Sequence, residues 1–185
     1  MDKIIKEKSE TIVFGGGCFW CTEAIFANLK GIVSATPGYA GGTTHNPTYD
    51  VVSSGETGHA EVTKIEFNPS IITVNDLLTV FFATHDPTTL NRQGNDVGTQ
   101  YRSIILYTSE AQERQAREYI TSVQDSFSDP IITEIKPFTE FYEAEDYHQR
   151  YYEKHKDAPY CQAIIDQKLE KLQKQFAALL TSHTK

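Results

Sequence analysis

The chain has no long apolar run, no basic stripe, no internal repeat, no low-complexity tract and no linker. Each absence removes a class of function. A helix that spans a bilayer needs about 20 consecutive apolar residues, so membrane insertion is not expected. Lys and Arg number 17 against 25 Asp and Glu, giving a net charge of −8. Without clustered cations there is nothing to hold a phosphate backbone, and nucleic acid is not expected as a partner. Residues Met1 to Glu10 are charged and lack the apolar segment of a secretory signal. Only three cysteines are present, and an odd number cannot all pair. Reduced thiols in a cytoplasmic protein are therefore expected.

What is present suffices for one core: 185 residues, 39% hydrophobic and 11% aromatic. The expected organisation is a single domain over 1–185, with an N-terminal arm at 1–10 and a helical C-terminal extension over about 146–185. Thr-Ile-Val-Phe between Glu10 and Gly15 reads as a buried strand that ends in a turn at Gly15-Gly16-Gly17. Helical spacing follows from Cys18 to Leu29, with Gly31 as a left-handed stop. Ile32–Thr36, His59–Phe67, Tyr101–Tyr107 and Ile131–Lys136 read as further strands. Thr73 is expected to cap a helix to Thr84, and Ser109 another to about Ser126. The last third reads as mostly helical with Pro159 as a break. Strands alternating with helices predict an α+β fold with a mixed sheet. Two long polar loops, Pro37–Gly58 and His85–Gln100, are expected to be functional rather than connecting.

The sharpest pattern is Gly16-Gly17-Cys18-Phe19-Trp20-Cys21. A cysteine after a glycine turn, at the start of a helix, faces unpaired N–H groups that favour the thiolate and lower its pKa. The blander reading is a small residue filling a turn. In Gly58-His59-Ala60-Glu61, the strand's period of two puts Glu61 on the same inward face as Ile65 and Phe67. A desolvated carboxyl there keeps its proton and can donate it; the alternative is an ion pair with Arg102 or a contact with His59. The stretch Arg92 to Arg102 concentrates hydrogen-bonding groups between glycines, more than a turn needs. His148, His155 and His183 read as solvent-facing and inert, His85 as shaping a loop, and Arg102 as pairing with a carboxylate.

Taken together these segments resemble the A-class peptide methionine sulfoxide reductases. The likeness rests on Gly17-Cys18-Phe19-Trp20, Gly38 to Gly42, Asn46 to Tyr49, Gly58 to Glu61, His85-Asp86-Pro87 and Arg92 to Arg102, in order, from about Thr11 to about Cys161. The resemblance implies a ferredoxin-like two-layer α/β sandwich. It implies reduction of methionine S-sulfoxide, free or in oxidised proteins, with no bound cofactor or metal, by a monomer. By position Cys18 is then the nucleophile, and Phe19 and Trp20 wall the methyl pocket. Glu61, Tyr49 and Tyr101 surround the sulfoxide oxygen, and Asp96 holds that network through water. A sulfenic acid at Cys18 is resolved by a second thiol, and the disulfide is recycled by thioredoxin, or by dithiothreitol in vitro. Cys21, where many members carry glycine, and Cys161, after Pro159-Tyr160, are the two candidates; position favours Cys161 narrowly. Three rivals are a thioredoxin-like use of Cys18 and Cys21, structural zinc on the three cysteines, and a Cys-His hydrolase with His59 or His45 as base.

Overall fold

A computed structural model describes residues 9–181. Six strands form one mixed sheet: β1 (Glu10–Gly15), β2 (Ile32–Ala40), β3 (Ala60–Phe67), β4 (Ile104–Tyr107), β5 (Glu134–Pro137) and β6 (Phe141–Glu143). Their order is β5-β4-β1-β3-β2-β6. Only β4 and β5 run parallel; the other neighbours are antiparallel. β1 lies near the middle, which is why its apolar run does not alternate: Ile12 to Gly15 are all buried.

The helices are α1 (Phe19–Ala27), α2 (Tyr49–Ser53), α3 (Val74–Thr84), α4 (Glu110–Val123), α5 (Tyr151–Lys154) and α6 (Asp166–Phe176). One sheet face, carrying Ile12, Phe14, Ile65, Phe67 and Ile105, packs into the large core with α1, α3 and α6. Phe14 stacks on Phe81 of α3 at 4.5 Å. The opposite face carries Val13, Val62, Ile104 and Leu106, with Phe138 and Phe141 against it. Thus β1 and β3 are clamped from both sides, and whatever stands at their ends is held rigidly.

Several expected elements stand where the sequence places them. Thr73 forms a reciprocal capping box with Asp76, Ser109 accepts from the Gln112 N–H, and Gly31 has φ +82°. Others move. β2 continues through Pro37 to Ala40, because Tyr39 and Ala40 are buried and pair with Glu61 and Ala60. The first loop also holds α2. The strand expected from Tyr101 starts at Ile104, since Thr99–Tyr101 is a single 3-10 turn. The fifth expected strand begins at Glu134 rather than Ile131. Strand β6 interrupts a region expected to be mostly helical; three residues leave no readable period. Pro159 does not break a helix but opens the last helical stretch, where its missing N–H costs nothing. Residues 1–8 of the expected N-terminal arm, and His183, lie outside the described residues.

Candidate active site

The turn between β1 and α1 is built by backbone that only glycine tolerates. Gly17 has φ +98°, and a Cβ there would approach the Gln93 side chain to 2.6 Å. The chain then enters α1 with Cys18 at the cap position, and the Cys18 side chain makes no capping hydrogen bond to the first-turn N–H groups. They serve the site instead. The Phe19 N–H donates to Glu61 Oε2 at 3.1 Å, and the Trp20 N–H faces the Cys18 sulfur. Cys18 and Glu61 therefore meet across one helix start.

Glu61 is 2% exposed. Burial raises its pKa to about 8, against the pull of the Phe19 N–H, and the nearby Asp96 and Cys21 add to the rise. Among the described residues no cation relieves it. Arg102 is spent on Glu134 (3.2 Å) and on the carbonyls of Gly58 and Thr99. His59 accepts the Gly42 N–H and faces the Thr44 carbonyl. At neutral pH Glu61 is thus a neutral acid. Tyr49 and Tyr101 lie within electrostatic reach of it; burial first, then Glu61, raises both pKa values, so both hydroxyls keep their protons.

The thiols differ from expectation. Cys18 is half-buried, but protein atoms crowd its sulfur, and desolvation outweighs the helix start. Its pKa is raised, by burial first and then by Cys21 and Glu61. The lowered pKa falls to Cys21, at about 7, chiefly through a hydrogen bond from Cys18. The two sulfurs therefore titrate as a pair, and the first charge belongs to both. Cys161 is fully buried in the large core.

Asp96, in a small hairpin of Arg92–Gln93 and Asp96–Val97, accepts from the Tyr160 hydroxyl at 3.2 Å. That hydroxyl lies 3.6 Å from the Cys21 sulfur. The expected Asp96 site is thus linked to the thiols through Tyr160. A groove of about 660 Å³ opens here, lined by Cys18, Cys21, Gln93, Asp96, Tyr160 and Lys168 among others.

Phe19 is buried, with Tyr39 at 5.8 Å and His148 at 5.0 Å between ring centres. Trp20 is half-buried and stacks flat on Tyr151 at 3.6 Å. Its indole N–H donates to His148 Nδ1 at 3.0 Å. His148 is therefore not the solvent-facing residue that its polar surroundings in sequence imply. It is 1% exposed, its ring lies 4.5 Å from that of Tyr49, and its lost hydration holds its pKa down. His155 is exposed. Glu145 also escaped the sequence reading: it accepts from the Tyr39 hydroxyl and the Tyr49 N–H, both at 2.8 Å. Burial opposes its charge, yet these donors hold its pKa below the ordinary value. Nothing in the local sequence marks Glu145, His148, Tyr151 or Tyr160, because the residues they meet lie far away along the chain, 128 residues for Trp20 and His148.

Residues 10–180 match the family model described as peptide methionine sulfoxide reductase. The chain belongs to that family. A protein of Sulfolobus acidocaldarius named peptide methionine sulfoxide reductase MsrA is 57% identical over 90% of this chain and 95% of its own. The crystal structure of reduced Mxr1 from Saccharomyces cerevisiae superposes with a TM-score of 0.78 at 35% identity, covering 86% of this chain and 92% of that one. A structure of Mxr1 in complex with Trx2 gives 0.55 at 27%, covering 82% and 90%. The chain is an enzyme, a peptide-methionine (S)-S-oxide reductase of the A class, with an α+β fold. The rivals lose their footing in this reductase. His59 is committed to backbone, and no group of three His, Cys, Asp or Glu able to hold a metal exists among the described residues. Glu61 beside the cysteines has no part in a plain disulfide oxidoreductase.

Proposed function

We propose that this enzyme reduces methionine S-sulfoxide, free and within oxidised proteins, by attack of Cys18 on the sulfoxide sulfur with Glu61 as the acid. The observation that carries this is the buried, cation-free carboxyl of Glu61 touching the N–H of the residue next to Cys18. A sulfoxide oxygen leaves only if it gains a proton as sulfur is attacked. Glu61 supplies it, and the Tyr49 and Tyr101 hydroxyls donate to the same oxygen. Phe19 and Trp20 receive the S-methyl group. The Cys18 proton passes to Cys21, which is hydrogen-bonded to it, so that the charge of the pair rests on the attacking sulfur. The oxygen ends on Cys18 as a sulfenic acid, and methionine leaves.

Position in the sequence favours Cys161 for the next step; the geometry supports Cys21. It lies one helical turn from Cys18 within hydrogen-bonding reach, whereas Cys161 is enclosed by core side chains. The Cys21 thiol condenses with the sulfenic acid, releasing water and forming a disulfide, and a dithiol then reduces it. Thioredoxin in the cell and dithiothreitol in vitro supply those two electrons, so no bound cofactor is needed; the Trx2 complex of Mxr1 supports the first. A single domain acting as a monomer in the reducing cytoplasm suits such a cycle. Strands β4-β1-β3-β2, linked as split β-α-β units, support the ferredoxin-like description.

One experiment tests the reading: the purified enzyme is given one equivalent of methionine S-sulfoxide without reductant, and its peptides are mapped by mass spectrometry. One methionine formed per chain, with Cys18 joined to Cys21, is expected. Product formation with Cys18 still a free thiol and unoxidised would overturn it.

A further inference from the structure

We infer that Glu23 is a positioning residue for the substrate pocket, holding Tyr151 against Trp20 through the backbone of Arg150 and Tyr151. The inference rests on the proposed role of Trp20 as a pocket wall. It starts from helix spacing: Trp20 and Glu23 are three residues apart on α1 and share a face. Both meet the same returning segment. Glu23 is 4% exposed, and a buried carboxyl is retained only where donors meet it. Glu23 Oε1 accepts the Arg150 N–H at 2.7 Å, and the Tyr151 N–H faces the same carboxyl. Oε2 is buried with no partner.

What Glu23 grips is a backbone that does not hold its shape unaided. Arg150 has φ 54° and ψ 40°, the left-handed conformation that a side chain disfavours. The next residue, Tyr151, lies flat under Trp20, 3.6 Å away and within 5° of parallel. A cavity of about 240 Å³ borders Glu23, Arg150 and Tyr152, so the segment has room to shift once released. Two anchors thus fix the indole plane: His148 takes its N–H, and Glu23 fixes the ring beneath it.

The chain has one tryptophan, so Trp20 emission reports the stack directly. Glu23→Ala is expected to shift that emission to the red and raise KM for methionine sulfoxide about tenfold, with kcat within about threefold. The sulfur and the acid keep their places, so binding suffers and chemistry does not. Glu23→Gln keeps an acceptor for Arg150 and is expected to restore KM to within about threefold of the parent. A folded Ala variant with parental emission and KM would overturn the inference, as would a loss of kcat in step with binding. Should the Ala variant fail to fold, the Gln variant decides. Burial raises the Glu23 pKa to about 7, against the Arg150 and Tyr151 N–H groups, with Glu153 adding and Lys154 opposing. The carboxylate is the stronger acceptor, so parental Trp20 emission should change as pH rises through 7. His148, Cys21 and Tyr160 also face Trp20 or its neighbours and remain in the Gln variant. Loss of the transition in Gln supports the grip, and its persistence removes it. Emission needs no turnover. A parent inactive on every sulfoxide would defeat the proposed function while leaving the grip measurable.

Discussion

The catalytic pair and the segment that covers it are built on opposite terms. Cys18 and Glu61 stand at the ends of β1 and β3, strands with core packed on both faces. The segment from Glu145 to Leu180 carries Tyr151, Tyr160 and Cys161. It lies on one side of the large core, where it buries Cys161, Ile165, Leu169, Leu172 and Leu180, and it reaches the site through polar contacts: Glu23 to Arg150, Tyr160 to Asp96, and the indole of Trp20 to His148. Its longest helix, α6, buries only Leu169 and Leu172. A sulfur and an acid that must meet an oxygen within a fraction of an ångström gain from the rigid mounting. A segment that covers the site from one side of the core can tune the substrate wall and the approach to the thiols without moving the sulfur or the acid. Changes in the first region should therefore destroy chemistry. Changes in the second should alter binding and recycling.

The largest effect tests the first half. Cys18→Ser should abolish methionine formation from S-sulfoxide with dithiothreitol, to the uncatalysed background, without loss of fold. Next is Glu61→Gln, which keeps the shape and removes the proton: kcat should fall about 10²- to 10⁴-fold with KM little changed. The pH profile carries the sign. Glu61 works protonated, so parental kcat should fall as pH rises through about 8, and the Gln variant should lack that limb. Stability follows the same group. Its folded pKa lies above the unfolded one, so between about 4.5 and 8 the folded state holds a proton that the unfolded state has lost. The fold therefore weakens as pH rises through that window, and the parent's melting temperature should drop from pH 5 to pH 9 more than the variant's. Equal turnover of variant and parent would dissolve the distinction between the regions.

Smaller effects are expected from the thiols. Cys21→Ser and Cys161→Ser should both still release one methionine per chain, because the oxygen passes to Cys18 itself, though more slowly in Cys21→Ser, which lacks the thiol that takes the Cys18 proton. In steady state with thioredoxin, Cys21→Ser should lose about tenfold or more, and Cys161→Ser less, if the neighbouring thiol traps the sulfenic acid. The reverse order would return Cys161 to the leading place that its sequence position gives it.

How much of this could be read from the chain alone follows from distance along it. Gly15 to Cys21 announces itself because turn, cap and thiol are consecutive, and Glu61 because alternation along one strand turns it inward. Asp96 stands out through the density of its loop. Glu145, His148 and Tyr160 do not, since their partners Tyr39, Trp20 and Asp96 are 64 to 128 residues away and no period links them. Even at Cys18 the sequence supplied the helix start but not the crowding around the sulfur. Burial reverses the expected direction and moves the low pKa to Cys21.

Arg102 separates place from role. It lies beside the rigid region, 9% exposed, and its guanidinium holds Glu134 and the carbonyls of Gly58 and Thr99, which flank Glu61 and Tyr101 in sequence. It touches neither sulfur nor acid. Lys cannot span three acceptors as the planar fork does, so Arg102→Lys should cost about 1–3 kcal/mol of stability, read as a lower denaturation midpoint. Below that midpoint kcat should stay within about fivefold, because the strands already fix Glu61. Should kcat fall as far as in Glu61→Gln, the rigidity credited to packing on both sheet faces would belong to this one cation.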